Sequence, residues 1–117
     1  MPHVILEVSD NVIEQNFNEI LLEIHQILTE TLPAQLESCK GRVIRHKEFL
    51  VGDGSKNYAF IHLSISVLAG RTKETLNLAA EKIIEMLKLN FKGSADQFDL
   101  KLSFSIQDLP EIYYKDN

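Results

Sequence analysis

The stretch Tyr58-Ala59-Phe60-Ile61-His62-Leu63-Ser64-Ile65-Ser66-Val67-Leu68 decides the fold. Ile61, Leu63, Ile65 and Val67 alternate with His62, Ser64 and Ser66, the period of a β-strand with one apolar face and one mixed face. Gly52-Asp53-Gly54-Ser55 ahead of it is turn chemistry, and Ala69-Gly70-Arg71-Thr72 breaks it. Beyond the break, Leu76, Ala79, Ala80, Ile83, Ile84 and Leu87 share one side of a helix, with Gly93 as its expected C-terminal stop. Leu100 to Ile106 alternates cleanly as a further strand.

Upstream, the same order is read a first time. Val4-Ile5-Leu6-Glu7-Val8 is a β-branched run. Asn11 with Glu14 has capping-box spacing and predicts a helix start, which Ile13, Phe17, Ile20, Leu21, Ile24, Ile27 and Leu28 continue until Pro33. Arg42 to Val51 reads as extended. Two βαβ patterns, about 1–52 and 55–108, thus follow one another with only the Gly52–Ser55 turn between them. They predict a single domain over 1–117 of the α+β class, built from duplicated β-α-β units. Right-handed crossovers put both helices on one face of a four-stranded mixed sheet. The other face, with its His, Ser and Lys side chains, must meet water or another subunit.

The charge balance narrows the partners. Lys plus Arg is 12 and Asp plus Glu is 17, a net charge of −5, which argues against a nucleic-acid binder. A small anionic substrate is compatible, but only with a local basic pocket to offset the global field. Hydrophobic residues at 44% and charged residues at 25% fit an ordinary soluble globular protein. No apolar run approaches the ~20 residues of a membrane span, and the N-terminus lacks the pattern of a signal peptide. The lone Cys39 allows no disulfide within the chain and suits a reduced, cytoplasmic setting. His3, His25 and His46 lack metal-ligand spacing, so no metal is assigned. Gly52-Asp53-Gly54 is not a phosphate loop, because no Lys-Ser/Thr pair follows it at a helix start.

Met1-Pro2-His3-Val4-Ile5-Leu6-Glu7-Val8-Ser9-Asp10-Asn11 resembles the N-terminus of the 5-carboxymethyl-2-hydroxymuconate isomerase family of the tautomerase superfamily. Gly54, Tyr58 to His62, Ala69-Gly70-Arg71 and Leu102 to Ile106 extend the resemblance along the chain in order. Arg42-Val43-Ile44 and Gly70-Arg71-Thr72 are also similar to segments of the smaller 4-oxalocrotonate tautomerases. The resemblance implies a cofactor-independent isomerase that shifts a C=C bond of an unsaturated 2-hydroxy/2-oxo dicarboxylate in aromatic-compound (homoprotocatechuate) breakdown. It implies a homotrimer with an N-terminal proline in each site, and no cofactor.

The residues support that chemistry. Once Met1 is removed, Pro2 carries a free secondary amine. Burial and nearby cations would keep such an amine neutral near working pH, as a proton-transferring base requires. Arg42 and Arg71 are the candidate carboxylate clamps, because a guanidinium binds a carboxylate with two hydrogen bonds. Arg71 gains from its place at a helix start. Lys40, where the family favours Arg, and Arg45 lie close to Arg42 in sequence and are further candidates. His62 reads as structural or as a subunit contact, and Glu7 and Ser9 stay open between supporting and interface roles. Two other functions compete: a tautomerase of a phenylpyruvate-like keto–enol acid, and a non-catalytic trimeric binding protein of the same fold.

Overall fold

Strands β1 (His3–Ser9), β2 (Lys40–His46), β3 (Tyr58–Val67) and β4 (Asp99–Asp108) form one sheet in the order β2-β1-β3-β4. This computed structural model describes residues 1–116, so Asn117 lies outside the described residues. β1 runs parallel to β2, β3 runs parallel to β4, and the two pairs join antiparallel through β1 and β3. The sheet is therefore mixed, as the duplicated pattern predicts.

Helices α1 (Phe17–Thr31) and α2 (Lys73–Asn90) cover a single face. Val4, Leu6 and Val8 of β1 and Ala59, Ile61, Leu63, Ile65 and Val67 of β3 point into that layer and are buried. Ile20, Ile24 and Leu28 of α1 and Ile83 and Leu87 of α2 meet them there. Truncating one of these buried leucines to alanine costs about 2–5 kcal/mol, because the cavity adds to the lost transfer energy. The other face of the sheet carries Ile5, Glu7, Phe60, His62 and Ser64, all part-exposed and without a covering layer in the single chain.

Three local expectations are corrected. The first helix starts at Phe17 and not at Asn11, and its N-cap, Asn16, makes no side-chain cap hydrogen bond. The two residues of the expected capping box are used elsewhere. Asn11 accepts from Ser9 Oγ at 2.7 Å and donates Nδ2 to the Tyr58 carbonyl at 2.8 Å. Glu14 accepts from the Ser94 N–H at 3.0 Å and from the Ser94 hydroxyl. Long-range partners outcompete a local cap that would have left Ser94, fully buried, without an acceptor.

The second correction concerns β2, which ends at His46 and not at Val51. Its partner β1 ends at Ser9, opposite His46, so the chain beyond has no ladder to join. The third concerns Gly93. It is not a helix stop: α2 ends at Asn90, and Gly93 lies in the short helix α3 (Lys92–Gln97). A Cβ there would lie 2.8 Å from Glu14 Oε2 and 3.1 Å from Ile13 Cδ1, so this glycine permits the close approach of segment 13–14.

Candidate active site

The antiparallel β1–β3 pairing sets His3 opposite Ser66, which brings the end of β3 to the start of β1. The parallel β1–β2 pairing sets His3 opposite Lys40. Pro2 is buried at this corner, and its carbonyl accepts the Lys40 N–H at 3.0 Å. A cavity of about 260 Å³ opens here, lined by Met1, Pro33, Gln35, Leu68, Arg71 and Lys115 among others. A larger apolar groove, about 490 Å³, lies between α2 and β4 beside Lys88, far from the amino terminus. With Lys88 as the one charged residue lining it, it has no converging cations for an anionic substrate.

The corner is a local positive spot in an acidic chain. The terminal amine, on Met1 in the full-length chain, has its pKa lowered by burial and then by the charges of Lys115 and Arg71, against an opposing effect from Cys39, with Lys40 adding the least. None of those three cations has an ion-pair partner among the described residues. Arg71 sits just ahead of Thr72, whose hydroxyl caps α2 by accepting the Thr75 N–H at 3.2 Å. Its Nη1 donates to the Leu68 carbonyl at 3.4 Å, while its buried Nε has no partner. A buried guanidinium N–H without an acceptor is costly, and an anion in the cavity would relieve that cost. Burial pushes the Cys39 thiol up, so it does not compete as a nucleophile.

Strand parity sorts the remaining candidates. Lys40 and Arg42 lie on the open face, whereas Gly41, Val43 and Arg45 face α1. Lys40 Nζ donates to the Ser38 carbonyl at 3.2 Å, close to the corner. Arg42 Nη1 lies 3.4 Å from His3 Nδ1, two residues further along β2 than Lys40. Arg45 is turned away: it donates to the carbonyls of Asp10, Val12 and Glu14 and stacks over Phe17, which makes it the clamp of segment 10–14. His62 bonds Ser103 Oγ at 2.7 Å on the open face. Sequence reasoning missed Lys115 and Tyr113. Tyr113 brings the C-terminal segment back over β1, its hydroxyl 2.8 Å from His3 Nε2.

Residues 2–117 match the profile of the family described as 5-carboxymethyl-2-hydroxymuconate isomerase. The chain belongs to that family. It is similar, at 31% identity, to the Escherichia coli 5-carboxymethyl-2-hydroxymuconate Delta-isomerase, covering 100% of this chain and 94% of that one. The crystal structure of a 5-carboxymethyl-2-hydroxymuconate isomerase from Deinococcus radiodurans R1 superposes with a TM-score of 0.91 at 28% identity, covering 99% of this chain and 89% of that one. A fused 4-OT symmetric trimer shares the fold at a TM-score of 0.71 and 19% identity, covering 97% of this chain and 93% of that one. The protein is thus an isomerase with the tautomerase fold. No helix among the described residues is long and apolar enough to cross a membrane.

Proposed function

We propose that this isomerase moves a proton within an unsaturated 2-hydroxy/2-oxo acid bearing more than one carboxylate, with the Pro2 amine as general base and no cofactor. Loss of Met1 moves the amine one residue inward, to a proline that is buried at the same corner. Burial and cations lower the pKa of the amine on Met1, and the same causes would favour the neutral form on Pro2. Its lone pair takes the proton from the enol hydroxyl or from carbon and returns it to another carbon of the conjugated system. Arg71 holds a carboxylate and stabilises the charge that builds on the dienolate oxygen, with Lys40 and Arg42 as further substrate contacts. The observation that carries this reading is Arg71, which lines the cavity at the amino terminus and whose buried Nε has no partner.

The uncovered sheet face supports assembly as a homotrimer with sheets facing its centre, and the lone thiol of Cys39 suits the cytoplasm. Sedimentation equilibrium is expected to report three chains, and a clean monomer would refute the assembly. The chemistry is tested by N-terminal mass analysis of natively expressed protein, followed by ketonisation assays with several enols. Turnover is expected from chains that begin at Pro2. Full turnover by protein whose Pro2 nitrogen is verifiably blocked would move the base elsewhere, with His62 next to be tested.

A further inference from the structure

We infer that Lys115, carried on a C-terminal strap, is a further carboxylate-binding cation, beside Arg71, Lys40 and Arg42, that makes the site selective for highly charged substrates. This rests on the proposed proline-dependent reading of the same corner and deepens it. The strap is built into the fold. It leaves β4 through the Leu109 N–H, which donates to the Val67 carbonyl at 2.7 Å, and Tyr113 then anchors on His3 at 2.8 Å. His3 is itself fixed from the other side: Arg42 donates to its Nδ1, leaving Nε2 as the N–H that meets the tyrosine hydroxyl. Two residues beyond that anchor, Lys115 lines the same cavity as Met1 and Arg71.

Lys115 has no acidic partner there, among the described residues. Lys115 is exposed and solvated, but it stands beside an arginine and an amine of like charge, a local grouping that an anion would complement. The substrate in the family's name matches that need. 5-Carboxymethyl-2-hydroxymuconate carries the two carboxylates of a muconate and a third on its carboxymethyl arm, one more than the dicarboxylate expected from the sequence. Arg71, Lys40 and Lys115 converge on one amine and supply three cations. Of these, Lys115 is the one delivered by the chain's far end.

The test compares probes with one, two and three carboxylates: phenylenolpyruvate, 2-hydroxymuconate and 5-carboxymethyl-2-hydroxymuconate. Lys115→Ala is expected to lower kcat/KM in that order of charge. The largest loss, about tenfold and mostly in KM, should fall on the three-carboxylate acid. Removing a like charge also raises the amine's pKa, so the ascending limb of the pH profile should move to higher pH. Lys115→Arg should restore the charge preference. Tyr113→Phe, which frees the strap but keeps the lysine, should show the same ordering at smaller size. Equal losses on all three probes, or none, would overturn the inference. Alkylating Pro2 in the same preparations with 3-bromopyruvate judges the underlying reading separately. If alkylated wild-type protein still turns over, the proline assignment fails, whatever the lysine variants do.

Discussion

The two halves of the chain have the same frame and opposite chemistry at corresponding corners. In the first half, the carbonyl of Pro2, just ahead of β1, accepts the Lys40 N–H at 3.0 Å; in the second, the carbonyl of Asn57, just ahead of β3, accepts the Asp99 N–H at 3.0 Å. Lys40 therefore corresponds to Asp99, and Arg42 to Lys101. Arg71 precedes the N-cap of α2 as Gln15 precedes that of α1. One corner gathers a terminal amine and unpaired cations. The other has a peptide-bonded asparagine and an aspartate that satisfies Lys101 at 3.3 Å. The backbone frame is thus not enough for the site. What distinguishes the corner proposed as catalytic is which side chains it holds and the terminal amine beside them.

The strongest challenge to this contrast is the amine. Blocking Pro2, by retained Met1 or alkylation, should abolish turnover while the protein stays folded by circular dichroism. Asn57→Ala at the other corner should leave turnover within about twofold, since a surface change away from the chemistry is close to neutral. Next comes the cation ahead of each N-cap. Arg71→Ala should cost about 2–5 kcal/mol in kcat/KM, more for acids with more carboxylates, whereas Gln15→Ala should cost nothing measurable. An equal effect of the two would show that Arg71 is structural.

A smaller effect lies in how each half packs its outer strand. β2 presents Gly41 to α1 where β4 presents Leu100 to α2. A Cβ at 41 would lie 2.8 Å from His25 Nε2 and 3.2 Å from Leu21 Cδ2. Gly41→Ala should therefore lower stability in urea by about 1–3 kcal/mol, toward the low end because the His25 ring can give way. A stability gain instead would mean that the His25 and Leu21 side chains yield freely and that neither space nor backbone geometry requires glycine at 41. The smallest effect is protonic. Burial holds His25's pKa below its ordinary value, and its Nε2 is buried without a partner. The neutral ring is the form the fold accepts. Its contribution is intact above the unfolded pKa of ~6.5 and is lost as pH falls from there toward the lower folded value. His25→Leu should flatten the slope of stability against pH in that window, and an unchanged slope would assign it to other groups.

Much of the architecture was legible because strand alternation is a local signal. Val4, Leu6 and Val8, and Ile61, Leu63, Ile65 and Val67, all point where their period places them. The same parity already separates Arg45 from Arg42: it shares a face with Val43, and proximity in sequence obscured this. The capping box failed because Asn11 and Glu14 have partners 47 and 80 residues away, which no short window registers. Pro2 and Arg71 stood out only through the family resemblance, since neither residue type is informative by itself. Tyr113 and Lys115 gave no signal, because the segment that carries them has no periodicity and its contacts are with the opposite end of the chain.

Met1 and Lys115 line one cavity, which makes the polypeptide nearly a closed ring. A ring with an approximate internal repeat has two equivalent places at which it could be cut, ahead of β1 and ahead of β3. The fold is indifferent between them, since the sheet order and both helices survive either cut. Chemistry is not indifferent, because a cut creates an amine. Cutting ahead of β1 puts that amine among Arg71, Lys40 and Lys115; cutting ahead of β3 would put it beside Asp99, which is paired with Lys101, and without such a group of unpaired cations. On the proposed reading, the position of the chain's opening would itself supply the base.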